Sequence, residues 1–117
     1  MAIIDWAQFN ENFQYYDKEI INEVIHIFID EYDDRINKLQ KNIDEKDYKN
    51  LAFNAHSLKG VIANYMALKA YEPARRLEEL ANNNSEERIH ETFVELKDST
   101  KELYLELLDY LQKGGKK

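Results

Sequence analysis

Apolar residues recur at steps of three and four along several long stretches of the chain, which is the period of an amphipathic α-helix. One stretch opens at Asp17-Lys18-Glu19, and its apolar positions are Ile21, Val24, Ile25, Phe28, Tyr32, Ile36, Leu39 and Ile43. The last stretch repeats the pattern at Ile89, Phe93, Leu96, Leu103, Leu107 and Leu111. The pattern therefore predicts two long helices, over about 17–42 and about 85–113.

A third stretch, from Tyr48 to Tyr65, divides into two distinct faces. Each helical residue turns about 100° from the last, so positions can be measured as angles from Leu51. A stripe between about −40° and +60° should face the core; its members are Tyr48, Leu51, Ala55, Leu58, Ile62 and Tyr65. His56 falls near 140° and should point to solvent. Its neighbours on that face are Ala52, Lys59, Gly60 and Ala63, so we expect no bulky side chain beside the imidazole.

Capping residues mark where the helices begin. Asp47 suits the N-cap of the third-stretch helix, which we predict at about 47–65. Asp5, with Gln8 three residues later, predicts a short first helix at about 5–13. A further helix at about 68–82 contains Pro73 and ends in a loop composition, Asn82-Asn83-Asn84.

Short connections between four long amphipathic helices imply antiparallel neighbours. The sequence therefore predicts an all-α protein: an up-down antiparallel four-helix bundle with a short N-terminal capping helix, in a single domain over 1–117. Three further isoleucines, Ile20, Ile27 and Ile29, widen the apolar face of the helix after Asp17. We expect the short capping helix to cover that additional face.

Composition narrows the classes of function. The net charge of −7 argues against nucleic acid, for which a basic face is expected. Cysteine is absent, so disulfides and thiol chemistry are excluded. No apolar run approaches the roughly 20 residues that span a bilayer, and the N-terminus lacks the pattern of a signal peptide. We therefore expect a cytoplasmic protein without a membrane segment.

Gly60 needs a reason, because glycine in a helix interior costs roughly 1 kcal/mol relative to alanine. The apolar stripe continues through Ile62 and Tyr65, so no helix end is expected at Gly60. Close approach of another protein surface would explain the glycine. An exposed His56 beside open space, with Lys59 one turn on, then indicates a site.

These residues carry a resemblance to a known family. The run Ala55-His56-Ser57-Leu58-Lys59-Gly60, continued by Ala63-Asn64, Ala67 and Leu77-Glu78, resembles the histidine-containing phosphotransfer (Hpt) domain. The resemblance extends more loosely upstream, and it implies the same four-helix bundle. The sequence departs from the family pattern at Met66, where glycine is usual, and at Val61 and Ile62, where small residues are common.

The resemblance implies a phosphorelay intermediate, in which His56 accepts a phosphoryl group from a receiver-domain aspartate and passes it to another receiver. It implies that Glu78 bonds the other ring nitrogen. Lys59 is placed to stabilise phosphoryl oxygens, and Arg75 is a further candidate for that contact. The predicted partner surface comprises Ala52, Lys59, Gly60, Ala63 and Arg75. The expected partners are receiver domains and a hybrid sensor kinase.

The chain carries no glycine-rich phosphate loop and no acidic cluster for Mg²⁺ near the motif. We therefore expect a phosphocarrier without kinase activity and without a cofactor or metal of its own, with Mg²⁺ bound by the partner receiver. A chain with four bundle helices should also be a monomer.

Two alternatives stay open. His56 could be an ordinary surface histidine, as we expect His26 and His90 to be; the spacing of the three histidines does not suit a metal site. The chain could also be a docking module that binds receivers or other signalling proteins without carrying phosphate.

Overall fold

The computed structural model describes residues 2–114, and these form five helices. They are α1 (Trp6–Asn12), α2 (Lys18–Asp44), α3 (Tyr48–Ala63), α4 (Leu68–Asn82) and α5 (Glu86–Gln112). No strand occurs within this range, so the predicted all-α fold is confirmed. The prediction of one domain over 1–117 includes position 1 and positions 115–117, which lie outside the described residues, and it stays a prediction.

The four long helices pack as a closed ring. Helix α2 packs on α3, α3 on α4, α4 on α5, and α5 back on α2. The connections are the short segments 45–47, 64–67 and 83–85, so successive helices run antiparallel. Helices α2 and α5 have 27 residues each, and at about 1.5 Å per residue each is about 40 Å long. That matches the 41 Å long dimension of the bundle.

The apolar stripe of α3 forms the inner face of that helix. Leu51, Ala55, Leu58 and Ile62 are buried, and Tyr48 packs against the core from its edge. Each buried position lies three or four residues from the next, so together they fix the rotation of α3 about its own axis. The opposite face of the helix must therefore point to solvent.

Helix α3 ends at Ala63, two residues earlier than the sequence pattern predicts. The amides of Asn64 and Tyr65 bond carbonyls three residues back, and Met66 then adopts a left-handed φ of 54°. This tightening ends the helix. Tyr65 nevertheless stays buried after the helix ends, so the apolar pattern continued past the last helical residue.

The other helices begin and end close to their predicted positions. Helix α2 extends to Asp44, two residues further than predicted, and α4 continues through Pro73. The missing N–H of Pro73 would have bonded the carbonyl of Lys69. Lys69 is exposed in the first turn of α4, where water can satisfy that carbonyl.

Helix α1 closes one end of the bundle with aromatic side chains. Phe9 is buried, with its ring centroid 5.7 Å from that of Tyr110 and 6.5 Å from that of Tyr65. Trp6 stacks on Tyr110 at 5.1 Å. The carboxylate of Glu106 on α5 binds this segment as well, because it accepts hydrogen bonds from the Ile3 amide at 2.8 Å and from the Trp6 indole.

The expectation that the capping helix covers the additional isoleucines of α2 is wrong for Ile20 and Ile27. Ile20 and Ile27 are exposed, whereas Ile29 packs against the core. The aromatic residues of α1 pack instead at the end of the bundle, where Phe9 contacts Tyr65 and both Phe9 and Trp6 contact Tyr110.

Candidate functional site

His56 lies on the outer face of α3, with 66% of its side chain exposed. Its neighbours Ala55 and Leu58 are buried on the inner face, and this burial turns the imidazole outward. The exposed position agrees with the angle of about 140° that the apolar stripe predicts. A reactant can therefore reach the ring without any movement of the bundle.

Glu78, on α4, connects His56 to Lys59. Its Oε2 lies 2.9 Å from Nδ1 of His56, and its Oε1 lies 2.7 Å from Nζ of Lys59. The side chains of Glu78 and Lys59 are each about one-fifth exposed, at 20% and 21%. One carboxylate thus binds two side chains of the neighbouring helix, an exposed imidazole and a partly buried ammonium group.

These contacts favour the ionised form of Glu78. Its partial burial alone would raise the pKa of the carboxyl group, but hydrogen bonds and charge from Lys59 and His56 outweigh that effect and lower the pKa below its ordinary value. The hydrogen bond to Glu78 in turn raises the pKa of Lys59. At neutral pH the site therefore holds an ionised carboxylate beside an ammonium group.

The ionised carboxylate fixes the tautomer of the imidazole. A carboxylate can only accept hydrogen bonds, so Nδ1 of His56 must carry a proton and donate it to Glu78. In a neutral imidazole the other nitrogen, Nε2, then has a free lone pair. Nε2 makes no hydrogen bond with any residue from 2 to 114. The arrangement provides an exposed nucleophile whose orientation is set by α4.

Comparison with known proteins shows which family the chain belongs to. The sequence model of the Hpt domain matches residues 23–113. The chain belongs to the Hpt domain family. No match was found among the curated proteins or among the solved structures. The resemblance in the histidine motif is therefore confirmed over most of the chain.

Membership of the Hpt family gives the general function of the domain. Hpt domains are phosphotransfer modules of two-component signalling, and in general they carry phosphate without kinase activity. The family also implies that receiver domains are the partners. The roles of individual residues do not follow from membership of the family alone.

Of the five residues predicted for the partner surface of this Hpt domain, three lie around His56, and Ala52 and Arg75 do not. Gly60 and Ala63 are exposed on the same face of α3 as His56, and Lys59 lies at its edge. Ala52, in contrast, is buried, so its predicted place on the partner surface is wrong. At about 100° Ala52 lies between His56 and the core stripe, and it belongs to the buried core.

Gly60 is not required by the packing of the bundle. A Cβ atom built at this position would meet nothing within 4 Å, and Gly60 lies inside α3 with ordinary helical geometry. The surface beside His56 is open at this point. Packing within the domain therefore does not explain why a glycine, which destabilises a helix, stands at this position.

Arg75 is not directed at His56 in this structure. Its guanidinium bonds Glu72 at 3.2 Å and Glu79 at 3.1 Å, both on its own helix α4. Both carboxylates raise the pKa of Arg75, chiefly through the hydrogen bond to Glu72. A phosphoryl group would have to compete with these two ion pairs for the guanidinium.

Phe53 also lies on the outer face of α3, although it is not among the predicted contact residues. It lies three residues before His56 and is 70% exposed, so a bulky side chain does stand close to the imidazole. Its angle of about 200° already placed it on this face. Next to it, Ser57 accepts a hydrogen bond of 3.1 Å from Arg35 of α2, so Phe53 lies on the side of α3 that faces α2.

The other histidines take no part in the site. His26 and His90 are exposed on α2 and α5 respectively. Within residues 2–114 no three His, Asp or Glu side chains come together as a group that could hold a metal ion. None of the helices in the same range combines the length and the apolar character needed to cross a bilayer.

Proposed function

We propose that this Hpt domain is a phosphorelay intermediate, which accepts a phosphoryl group on Nε2 of His56 from one receiver and passes it to another. The observation that carries the proposal is the exposed imidazole with Nδ1 bonded to Glu78 at 2.9 Å and its second nitrogen facing solvent. In an ordinary surface histidine, no carboxylate from a second helix fixes the tautomer of the ring. We further propose a monomer in the cytoplasm that receives phosphate from a hybrid sensor kinase.

The chemical step uses only the lone pair of Nε2 on this side of the reaction. The lone pair attacks the phosphorus of the receiver's aspartyl phosphate, forming a P–N bond while the P–O bond to the aspartate breaks. The aspartate leaves as a carboxylate with the bonding electrons. Nε2 loses no proton, because it carried none, and Nδ1 keeps the proton that it shares with Glu78. Transfer to the next receiver is the same step reversed.

Glu78 and Lys59 assist the phosphoryl transfer in different ways. When Nε2 gains phosphorus the ring becomes positively charged, and the negative charge of Glu78 beside Nδ1 stabilises that state. Lys59 keeps two further N–H donors beyond its bond to Glu78, and these can contact phosphoryl oxygens. We propose that Mg²⁺, which neutralises the phosphate, is bound by the receiver and that this domain supplies no metal ligand.

The charge of the outer face favours an acidic partner site. No Asp or Glu occurs between Asp47 and Glu72, although the chain as a whole has a net charge of −7. The exposed surface of α3 is thus neutral to basic, whereas the other helices carry the acidic residues. A receiver presents an acceptor aspartate and metal-binding carboxylates, and such a site meets less repulsion at α3 than at the acidic helices.

The test is phosphotransfer profiling with a matched set of histidine variants. Receivers from the source organism are phosphorylated with labelled acetyl phosphate and mixed with the wild type, His56→Gln, His26→Gln and His90→Gln. We expect only His56→Gln to lose the label, with stability changed by less than about 0.5 kcal/mol because the side chain is exposed. Lys59→Ala should slow the transfer and leave the circular-dichroism spectrum unchanged.

The same experiment addresses the docking-module alternative. If a receiver binds the domain but no receiver labels any histidine of the wild type, the domain docks without carrying phosphate. If His56→Gln is labelled as well as the wild type, the acceptor lies elsewhere and the proposal fails.

A further inference from the structure

We infer that Phe53 is the apolar anchor on which the phosphotransfer partner docks, and that it determines which receivers exchange phosphate with this domain. The inference rests on the proposed function of His56. Phe53 is 70% exposed on α3, only three residues before His56. A phenylalanine held in water loses the free energy that burial would provide, and nothing in the fold of the domain requires its exposure.

The hydrogen bond of the imidazole determines the side from which the partner approaches. Nδ1 faces α4, because its acceptor Glu78 belongs to that helix. Nε2 lies on the other edge of the ring, so its lone pair points away from α4. The α4 side is also occupied by Lys59, which bonds the same carboxylate. A donor in line with Nε2 must therefore approach over the part of α3 that is further from α4.

Gly60 and Phe53 occupy that part of α3. Around the helix axis His56 lies at about 140°, Gly60 at about 180° and Phe53 at about 200°. Ser57 follows at about 240° and bonds Arg35 of α2. The path to Nε2 thus crosses the open surface at Gly60, where a Cβ would meet nothing within 4 Å, and Phe53 borders it.

The size of a protein interface makes contact with Phe53 unavoidable for such a partner. A standard interface covers about 800 Å² on each protein, which corresponds to a disc of about 16 Å radius. Residues three apart on a helix have Cβ atoms about 5–6 Å from each other. Any protein that brings an aspartate to His56 from this side therefore covers Phe53, near the centre of the interface, where hot-spot residues concentrate.

The surroundings of Phe53 indicate what the partner presents. A cleft between α2 and α3 adjoins the ring, and its charged residues are already paired, Arg35 with Glu31 at 3.2 Å and Lys38 with Asp34 at 3.0 Å. The cleft therefore offers little unpaired charge, and the ring offers apolar surface. The fitting partner is a receiver domain with an exposed apolar side chain next to its phosphorylated aspartate.

Leu68 provides a matched control. It is 68% exposed, almost the same as Phe53, but it adjoins Ala63, Met66 and Tyr71 where α3 meets α4. This is the side of His56 from which Nε2 points away. Truncation at Leu68 removes a similar exposed apolar side chain without touching the proposed approach path.

The experiment measures transfer from the receiver domain that labels wild-type His56 fastest, phosphorylated with acetyl phosphate and Mg²⁺. Rates are followed over a range of receiver concentrations for the wild type, Phe53→Ala, Phe53→Leu and Leu68→Ala. We expect Phe53→Ala to raise the KM about tenfold with little change in the maximal rate. Phe53→Leu should recover part of the loss, and Leu68→Ala should stay within about twofold of the wild type. Labelling by phosphoramidate, which needs no docking surface, should be equal in all four proteins.

Two results would overturn the inference. One is a KM for Phe53→Ala within twofold of the wild type, and the other is a larger effect at Leu68 than at Phe53. Both leave the proposed function intact, because His56 is still labelled. Failure of every receiver to label wild-type His56 would instead refute the proposed function, so the two failures are distinguishable.

Discussion

Replacement of Gly60 separates the stability of the domain from its docking. Gly60→Ala adds one methyl group inside α3, where it would meet nothing within 4 Å. The substitution restricts the unfolded chain and has no steric cost in the folded one, so it should add up to about 1 kcal/mol to the free energy of unfolding. For a domain of this size, that corresponds to a rise in Tm of about 4 °C.

Urea denaturation and calorimetry of the two proteins would measure this gain. A loss of stability in Gly60→Ala would refute the reasoning, because it would mean that the glycine serves internal packing or a non-helical backbone. Gly60→Trp tests docking: it should block transfer from a receiver but leave labelling by phosphoramidate unchanged. His90→Trp, at an exposed position on α5, controls for a general effect of a bulky surface residue. Undiminished receiver transfer in Gly60→Trp would show that partners approach His56 by another path.

Three further predictions concern the scaffold of the site. Leu58→Ala should lower the free energy of unfolding by roughly 2–5 kcal/mol, because Leu58 is fully buried; an unchanged urea midpoint would show that the rotation assigned to α3 is wrong. The pKa of Glu78 is lowered in the folded state. Its ion pairs therefore stabilise the fold at pH values above the ordinary glutamate pKa of about 4.3, and this stabilisation is lost as the pH falls through the pKa of the folded state. The stability gap between the wild type and Glu78→Gln should therefore shrink as the pH falls below about 4.3, and a gap that widens there would contradict this sign. Met66→Gly should be more stable than Met66→Ala by about 1 kcal/mol, because both substitutions remove the methionine side chain but only glycine relieves the left-handed φ; the reverse order in urea denaturation would refute this account.

The exposure of His56 could be predicted from the sequence because it depends on a single helix. Leu51, Leu58 and Ile62 repeat at helical spacing, and a helix buried along one side has only one possible rotation. The same periodicity predicted the bundle, since short connections leave few ways to arrange four amphipathic helices. Properties set by local periodicity were therefore accessible without coordinates.

Contacts between helices could not be predicted in this way. Ile20 and Ile27 were expected to be covered, but α1 packs on the end of the bundle, and its position depends on aromatic residues as distant as Tyr110. Spacing also gave no means of knowing that the ammonium of Lys59 bonds Glu78. Phe53 is a different case, because the helical period alone places it on the outer face of α3, near His56.

The segment before α2 has a consequence for how this domain is delimited. The family match begins at residue 23, yet Phe9 and Trp6 cover Tyr110, and Glu106 on the last helix bonds the Ile3 amide. The segment that the family model matches is therefore shorter than the segment that packs together as one fold. A chain trimmed to 23–113 would retain His56, Lys59 and Glu78 but leave the aromatic end of its core open to water, where it would favour self-association.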